Sequence, residues 1–322
     1  MCNPILQMMP APLKGKTGWP WTERPPEFSN KRPDGLPWPK ISIVTPSYNQ
    51  GQFIEETIRS ILLQGYPNLE YIIIDGGSTD NSIEIIKKYQ PWIADWVSEK
   101  DNGQSQAINK GWKKSTGDIM AYLNSDDTFK EGALYHIANY FLRYPDVDMV
   151  YGDVFSIDEN CKMIKPWICG EFDLNKLISD SSYFIPQQAA FFRRSIFEKT
   201  GPLDEDLYLK MDRDLFIRIG KCGRVERIPH YLAHFRTHSD AKTNPQNSQR
   251  AWVEFLCLAR RHSESFPFRA YLGHYVQKSK AAILVKPLKK LGLWGLIAAI
   301  LKKDMLKREL YRYDNENISP FE

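Results

Sequence analysis

Cysteine is scarce in this chain of 322 residues and shows no pairing pattern. Cys2, Cys161, Cys169, Cys222 and Cys257 are odd in number, scattered and without a CxxC pair, which argues against a disulfide framework and a zinc site and fits a reducing cytosol. Long apolar runs are also lacking. The longest, Leu291 to Leu301, falls far short of the roughly 20 residues that a membrane-spanning helix needs, so no span is expected. The opening residues carry no basic segment followed by an apolar core, and Pro4, Pro10 and Pro12 interrupt what apolar character they have, so no secretion signal is expected. No internal repeat is present.

What the chain does hold is ordinary for a soluble globular protein. With 42% hydrophobic and 25% charged residues over this length, it can bury one large α/β domain with an appendage, or two modest domains. The net charge of +4 hides an asymmetry: Arg269 to Arg312 holds eleven Lys/Arg against Asp304 and Glu309, a local +9 that leaves the remainder at −5. The C-terminal segment is therefore a module of separate character.

Residues 1–39 form a Pro/Trp-rich arm (Trp19-Pro20-Trp21, Pro25-Pro26, Pro37-Trp38-Pro39), which suits an extended conformation. Its tryptophans are expected to pack on the body, because free indoles would expose large apolar area. From Lys40 the pattern is regular. Strands are predicted at 41–45, 69–74, 94–98 and 118–123, alternating with helices at 52–63, 82–89 and 105–113. That alternation predicts an α/β fold, a mostly parallel central sheet flanked by helices, whose ligands bind outside the carboxyl ends of the strands. Beyond residue 128 the rhythm changes to short apolar segments at 149–157, 163–168 and 188–193 and an amphipathic helix over 212–221. Residues 247–322 read as a basic amphipathic helical tail, with helices at 251–261, 271–285 and 288–310 broken near Pro267 and Pro287.

Polar and acidic residues stand at each predicted strand exit: Thr45-Pro46-Ser47-Tyr48-Asn49, Asp75-Gly76-Gly77-Ser78-Thr79-Asp80, Glu99 to Gln104, and Asn124-Ser125-Asp126-Asp127. Any one of them reads as a turn, since turns favour these residue types. All of them on one edge of one sheet make a site. In the last, an apolar run ends in two adjacent carboxylates, which a buried strand would hold rigidly enough to grip a divalent cation through hard oxygens and present it to a phosphate.

In this order and spacing, the TPSYNQ, DGGSTD, GQSQAINKG and YLNSDD segments resemble the inverting family-2 glycosyltransferases of the GT-A fold, of the bacterial surface-polysaccharide type. The resemblance covers roughly residues 40–240 and divides them into a nucleotide half (about 40–127) and an acceptor half (about 128–246) of one GT-A catalytic domain, 40–246. It implies transfer of a sugar from a nucleotide-diphosphate-sugar donor, UDP-linked, to a hydroxyl of a glycan or lipid-linked acceptor, with Mn2+ or Mg2+ as cofactor. A metal-held diphosphate is the better leaving group, so no protein nucleophile is required and the remaining task is to deprotonate the attacking hydroxyl.

Position by position, Asp75 resembles the acid that reads the nucleobase edge, with Pro46, Ser47 and Tyr48 completing the base pocket; for Tyr48, core packing competes equally. Asp101, Asn109 and Lys110 resemble the stretch near the ribose, the diphosphate and the donor sugar. Asn124-Ser125-Asp126 stands at the DxD signature with an amide in place of the first acid, which makes Asp126 the metal ligand and leaves Asn124 and Ser125 as uncharged donor contacts. Asp127 is either a supporting partner or a cap. Lys210 to Arg218 resembles the motif that opens the acceptor-side helix, with Met211 where a glutamate is common. Asp212 is then the general base and Asp214 the alternative, because residues two apart on a helix do not share a face. His234 to Lys242 resembles a flexible segment that helps hold the diphosphate, which makes His238 a donor contact and a second candidate metal ligand. Gln187-Gln188 either lines the sugar or acceptor pocket or simply starts a strand.

Asn124 and Met211 at acid positions leave a second class open, a catalytically silent nucleotide-sugar-binding or scaffold protein of the same fold. A nucleotidyltransferase would need a glycine-rich basic loop at the first strand–helix unit, which is lacking. Nothing in the tail resembles a nucleic-acid reader, so no such partner is expected. The tail's alternating lysines and apolar residues suit either an anionic bilayer surface or packing on the body. The expected location is cytoplasmic, peripheral on the inner face of the plasma membrane.

Overall fold

The computed structural model describes residues 9–23 and 29–263. Strand β1 (Ile41–Ser47) is buried at every position, as a strand covered on both faces must be. It pairs in parallel with β2 (Leu69–Asp75) on one side and β4 (Ile119–Tyr122) on the other, and β2 carries β3 (Asp95–Ser98), also parallel. Helices α1 (Ile54–Leu62), α2 (Ser82–Tyr89) and α3 (Gln104–Lys114) follow β1, β2 and β3 in turn. Helix α3 comes close to β1 because Gly111 has no side chain: a Cβ there would stand 2.4 Å from Val44 Cγ1.

The second half adds β5 (Thr128–Phe129), α4 (Ala133–Arg143), β6 (Met149–Ile157), β7 (Met163–Trp167), α5 (Leu174–Ser179), β8 (Ala190–Arg193), α6 (Arg194–Thr200), α7 (Met211–Cys222), β9 (Val225–Arg236) and α8 (Ser248–His262). The nine-stranded sheet runs β3-β2-β1-β4-β8-β6-β9-β5, with β7 paired to β6. Strand β8 is antiparallel to both β4 and β6, whereas β9 is parallel to β6. The sheet is therefore parallel over β1–β4 and mixed beyond. One core joins the parallel strands to α1, α2 and α4 through Ile43, Ile58, Ile73, Ile86, Leu134, Phe191 and Leu232.

The predicted elements of the first half coincide closely with those observed. Strand β9 was not predicted, and the expectation that His234 to Lys242 forms one flexible segment is corrected: His234, Phe235 and Arg236 end this strand, and only Thr237 onward is loop. Pro229 and the polar Glu226, Arg227 and His230 break the period-two pattern, and a register shift against β6 around Asp153 absorbs them.

The described residues form two compact units, one running to Phe172 and resuming over Ile185–Asn244, the other comprising Asp173–Phe184 and residues 245–263. Asp173–Phe184, which the sequence reading places inside the 40–246 domain, belongs to the second unit. Within the second unit, α5 packs on α8, which buries Phe255, Leu258 and Ala259. The tail helices predicted over 271–285 and 288–310, with the membrane-surface expectation attached to them, lie outside the described residues.

The arm does pack. Trp21 and Trp38 are buried, Trp19 Nε1 donates to Phe129 O at 2.8 Å, and the buried Arg59 guanidinium donates to Pro10, Pro20 and Trp21 carbonyls while lying 5.2 Å from the Trp21 ring centre. A guanidinium satisfied by arm carbonyls ties an extended segment down without regular structure.

Candidate active site

Because β1–β4 run in parallel, their carboxyl ends share one edge, and the exit loops meet there. Ser47 lies opposite Asp75, and Asp75 opposite Ser98. The first two exits are stitched together: Asn49 N donates to Ser78 Oγ (2.8 Å), Gln50 N to Ser82 Oγ (3.0 Å), Gly51 N to Asp80 Oδ2 (2.8 Å), and Thr79 N to Asn49 Oδ1 (2.8 Å). Asp80 also accepts from Ser82 N at 2.9 Å, so it both starts α2 and holds the neighbouring loop.

Asp75 is fully buried. Its Oδ2 accepts from Gly77 N (3.1 Å), Ser78 N (2.9 Å) and Ser98 Oγ (2.7 Å), and its Oδ1 from Ser78 Oγ (2.5 Å). The carboxylate therefore shapes the loop, and acceptor capacity for a base edge remains only at Oδ1. Asp101 lies over Gly76, where a Cβ would stand 2.9 Å from its Oδ2. Pro46 and Ser47 are buried, and the Ser47 hydroxyl has no protein partner. Tyr48 is 61% exposed at the rim, which rules out core packing and leaves its ring free to stack on a flat ligand.

The β4 exit is the most heavily braced. Thr57 Oγ1 on α1 lies 2.9 and 2.7 Å from the Ser125 and Asp127 carbonyls. Asn124 Oδ1 accepts from Gln104 Nε2 at 2.5 Å, and the buried Asp127 accepts from Arg236 N (2.9 Å) and Gln188 Nε2 (3.3 Å). Burial and then the neighbouring charge of Asp126 push the Asp127 carboxyl well above the usual aspartate range. Asp127 is thus a supporting group, and Asp126 carries the accessible charge: its Oδ2 lies 3.0 Å from His238 Nε2. His238 is buried against Phe53, ring centres 4.8 Å apart, and its Nδ1 has no protein partner.

Arg236 is the brace that the sequence did not announce. Its Nε donates to Asp126 O (2.7 Å), its guanidinium pairs with buried Glu56 (3.1 Å) and reaches the Asp158 and Glu159 carbonyls, and its plane lies 4.9 Å from the Phe53 ring centre. Replacing Arg236 by Met should destabilise the fold by about 3–5 kcal/mol, because buried Glu56 loses its cationic partner, and Glu56→Gln in the same chain should recover part of the loss. Urea unfolding of the single and double variants measures both; equal stability of wild type and Arg236→Met would remove this role.

On the acceptor side, Asp212 opens α7 and its Oδ1 accepts from Arg213 N at 2.7 Å. It keeps some exposed surface yet lies deep enough that burial raises its carboxyl, against the opposing pull of Lys210 and Arg213. The Tyr122 hydroxyl is pushed up by burial and then by the charges of Asp212 and Asp127. Asp214 is differently employed: it pairs with Arg218 at 2.7 Å, and Arg218 clamps the Gly201 and Pro202 carbonyls. Of the two candidates for the base, Asp214 is buried in an ion pair and Asp212 keeps part of its surface open. Asn109, expected beside the donor, has protein partners: its amide accepts from Leu203 N and donates to Leu203 O and Glu205, so it holds the loop that leads into α7. Lys110 pairs with Glu99 at 2.8 Å on the surface. Gln187 is buried with neither amide atom satisfied by the protein, which suits a ligand-facing group.

The residues fit a divalent cation. Two cis ligands of an octahedral ion at about 2.1 Å stand about 3.0 Å apart, and the Asp126 Oδ2 to His238 Nε2 separation is 3.0 Å. One carboxylate and one imidazole leave the other positions for phosphate oxygens and water. Among the described residues no cluster of three or more His, Cys, Asp or Glu forms a cage, so the protein alone would hold such an ion loosely.

The description of glycosyl transferase family 2 matches residues 42–201. An uncharacterized glycosyltransferase of Nostoc sp. is 29% identical over 210 residues, 62% of this chain and 65% of that protein. The PGL/p-HBAD biosynthesis glycosyltransferase of Mycobacterium bovis is 30% identical over 184 residues, 56% of this chain and 69% of that protein. The matches therefore span about two thirds of these relatives' own length. Among solved structures, residues 1–349 of S. aureus TarS superpose with a TM-score of 0.57 at 17% identity, over 75% of this chain and 73% of that one. The mannosyltransferase PcManGT of Pyrobaculum calidifontis, solved with GDP-Man and Mn2+, gives 0.54 at 20% identity, over 84% and 87%. At such identities the structural likeness is one of fold. Sheet order, strand-exit loops and relatives agree, and the chain belongs to glycosyl transferase family 2, with the GT-A fold.

Proposed function

We propose that the protein transfers a sugar, with inversion, from a nucleotide-diphosphate-sugar donor to a hydroxyl of a glycan or lipid-linked acceptor in cell-surface polysaccharide biosynthesis. The observation that carries this reading is the Asp126–His238 pair at the end of the parallel strands, with the raised carboxyl of Asp212 in the first turn of α7. TarS crystallised with UDP and UDP-GlcNAc, and PcManGT with GDP-Man and Mn2+, support a nucleotide-sugar donor and a divalent ion, here UDP-linked and Mn2+ or Mg2+.

In this scheme Tyr48 stacks on the base, Ser47 and Asp75 border it, and Asp101 faces the ribose side. Asn124 and Gln187 offer uncharged hydrogen bonds to the donor sugar or acceptor. Asp126 and His238 hold the cation, which when bound neutralises negative charge on the diphosphate. Asp212 accepts the proton of the incoming hydroxyl, and its raised carboxyl suits a base that must take up a proton and release it again. The cytoplasmic face of a membrane is the proposed location; among the described residues no helix is long and apolar enough to cross one.

A panel of nucleotide sugars, tested by thermal shift with and without Mn2+, checks the reading. The correct donor at 100 times its Kd should stabilise the fold by about 2.7 kcal/mol, and Mn2+ should enhance the effect. Released sugar should accumulate slowly under the same conditions. No shift with any donor would reject the nucleotide-sugar reading; strong Mn2+-dependent binding with no turnover across acceptors would identify a silent binding protein.

A further inference from the structure

The N-terminal arm reaches the backbone that carries the proposed metal ligand. Strand β5 follows Asp126 and Asp127 directly and ends the sheet order, so its outer edge has no strand beside it among the described residues. Phe129 in this strand is nonetheless fully buried, and buried peptide groups need partners. Its N–H donates to Ser60 Oγ on α1 at 3.1 Å, and its carbonyl accepts from Trp19 Nε1 of the arm at 2.8 Å. Helix α1 grips the same stretch on either side: Thr57 Oγ1 meets the Ser125 and Asp127 carbonyls, Gln64 Nε2 donates to Lys130 O at 2.9 Å, and Glu56 holds the Arg236 that donates to Asp126 O. The helix is in turn fastened to the arm, since buried Arg59 directs its guanidinium at the Pro10, Pro20 and Trp21 carbonyls and the Tyr89 hydroxyl.

We propose that Trp19 is a positioning residue for the cation site: through its indole N–H, the arm holds the 125–130 backbone in the conformation that presents Asp126 to a divalent ion. The tie is short, because only Asp127 and Thr128 separate Asp126 from Phe129. A carboxylate on a fixed backbone binds an ion without first losing conformational freedom, so releasing the Phe129 carbonyl should weaken metal binding rather than nucleotide stacking at the distant Tyr48 rim. Packing an arm tryptophan on the body does not require such a bond. Trp38 is buried as well, yet its Nε1 donates to Ser29 O within the arm itself, at 3.0 Å. The inference rests on the metal-dependent donor reading above and adds to it a residue outside the catalytic domain that serves the site.

Trp19→Phe and Trp38→Phe in the full chain make a matched pair, since each removes one indole N–H bond and keeps an aromatic ring. The probes are UDP and GDP, each titrated with Mn2+ and followed by thermal shift, together with deuterium exchange of the amides of residues 125–130. Trp19→Phe should need about fivefold more Mn2+ for half of the metal-dependent shift, the worth of one hydrogen bond, while its response to nucleotide alone stays that of wild type. Its 125–130 amides should also exchange faster. Trp38→Phe should lower the melting temperature yet keep the wild-type Mn2+ requirement and exchange. An unchanged Mn2+ requirement or unchanged exchange in Trp19→Phe would overturn the proposal, and so would an equal change in Trp38→Phe, which would mark a general loosening of the arm. Failure of the underlying reading looks different: wild type itself would then show no Mn2+-dependent response to either nucleotide, and the role of Trp19 would fall with it.

Discussion

Asp126→Asn should lower transfer by about 10³-fold or more while the fold persists. The side chain is part-exposed, and the backbone carbonyl that Arg236 grips is untouched by the change. Asn can still accept the His238 hydrogen bond, so local geometry is retained and only the charge is lost. Asp127 cannot substitute: it is buried, disfavours its charged form, and is already engaged by Arg236 and Gln188. Neither can position 124, which is an amide held by Gln104. The discriminating readout is therefore thermal: wild type should gain stability from nucleotide plus Mn2+ beyond that from nucleotide alone, and the variant should lose the Mn2+-dependent part. Full transfer by Asp126→Asn would remove the metal role from this residue.

The parallel half of the fold was legible because each of its signals is local. Continuous apolar runs such as Ile41 to Val44 and Ile72 to Ile74 mark strands buried on both faces, and helical spacing in α1 marks the crossover. Once those strands are known to be parallel, the polar residues at their exits must share an edge, so the placement of Asp75, Asp101 and Asp126 followed. The second half was less legible. Strand β9 owes its existence to pairing with β6 and β5, partners distant in sequence, and its own residues alternate poorly. The α4 segment has Leu134, Ile137, Ala138 and Phe141 at helical spacing, so its signal is local even though it lies in this half. The roles of Glu56 and Arg236 could not be read at all, since a buried ion pair 180 residues apart leaves no local trace. Asn109 shows the converse: position within a family motif suggested a ligand contact, whereas the fold uses its amide to anchor the loop before α7.

That anchored loop delivers Asp212, and Asp212→Asn should cost about 10²–10⁴ in turnover, the usual contribution of a positioned base. Donor binding should be nearly unchanged, so the loss falls on turnover and leaves the nucleotide-induced thermal shift intact. The pH dependence separates this role from a structural one. Burial raises the Asp212 carboxyl above the ordinary aspartate value, and the base is the deprotonated form, so activity should rise with pH through that raised value and the limb should vanish in the variant. Stability should move the other way. A carboxyl whose pKa is higher in the folded than in the unfolded chain stabilises the fold below the unfolded value, and that contribution is lost as pH rises through the folded value. At neutral pH the charged Asp212 therefore costs stability, and Asn should melt at the same or a higher temperature. Asp214→Asn gives the contrast: it removes the partner of Arg218, loosens the clamp on Gly201 and Pro202, and should lower the melting temperature while retaining the pH-dependent limb. A fully active Asp212→Asn enzyme, or loss of chemistry at undiminished stability in Asp214→Asn, would transfer the base to position 214. The expected pattern, a variant less active and no less stable, marks an acid kept where folding alone would not place it.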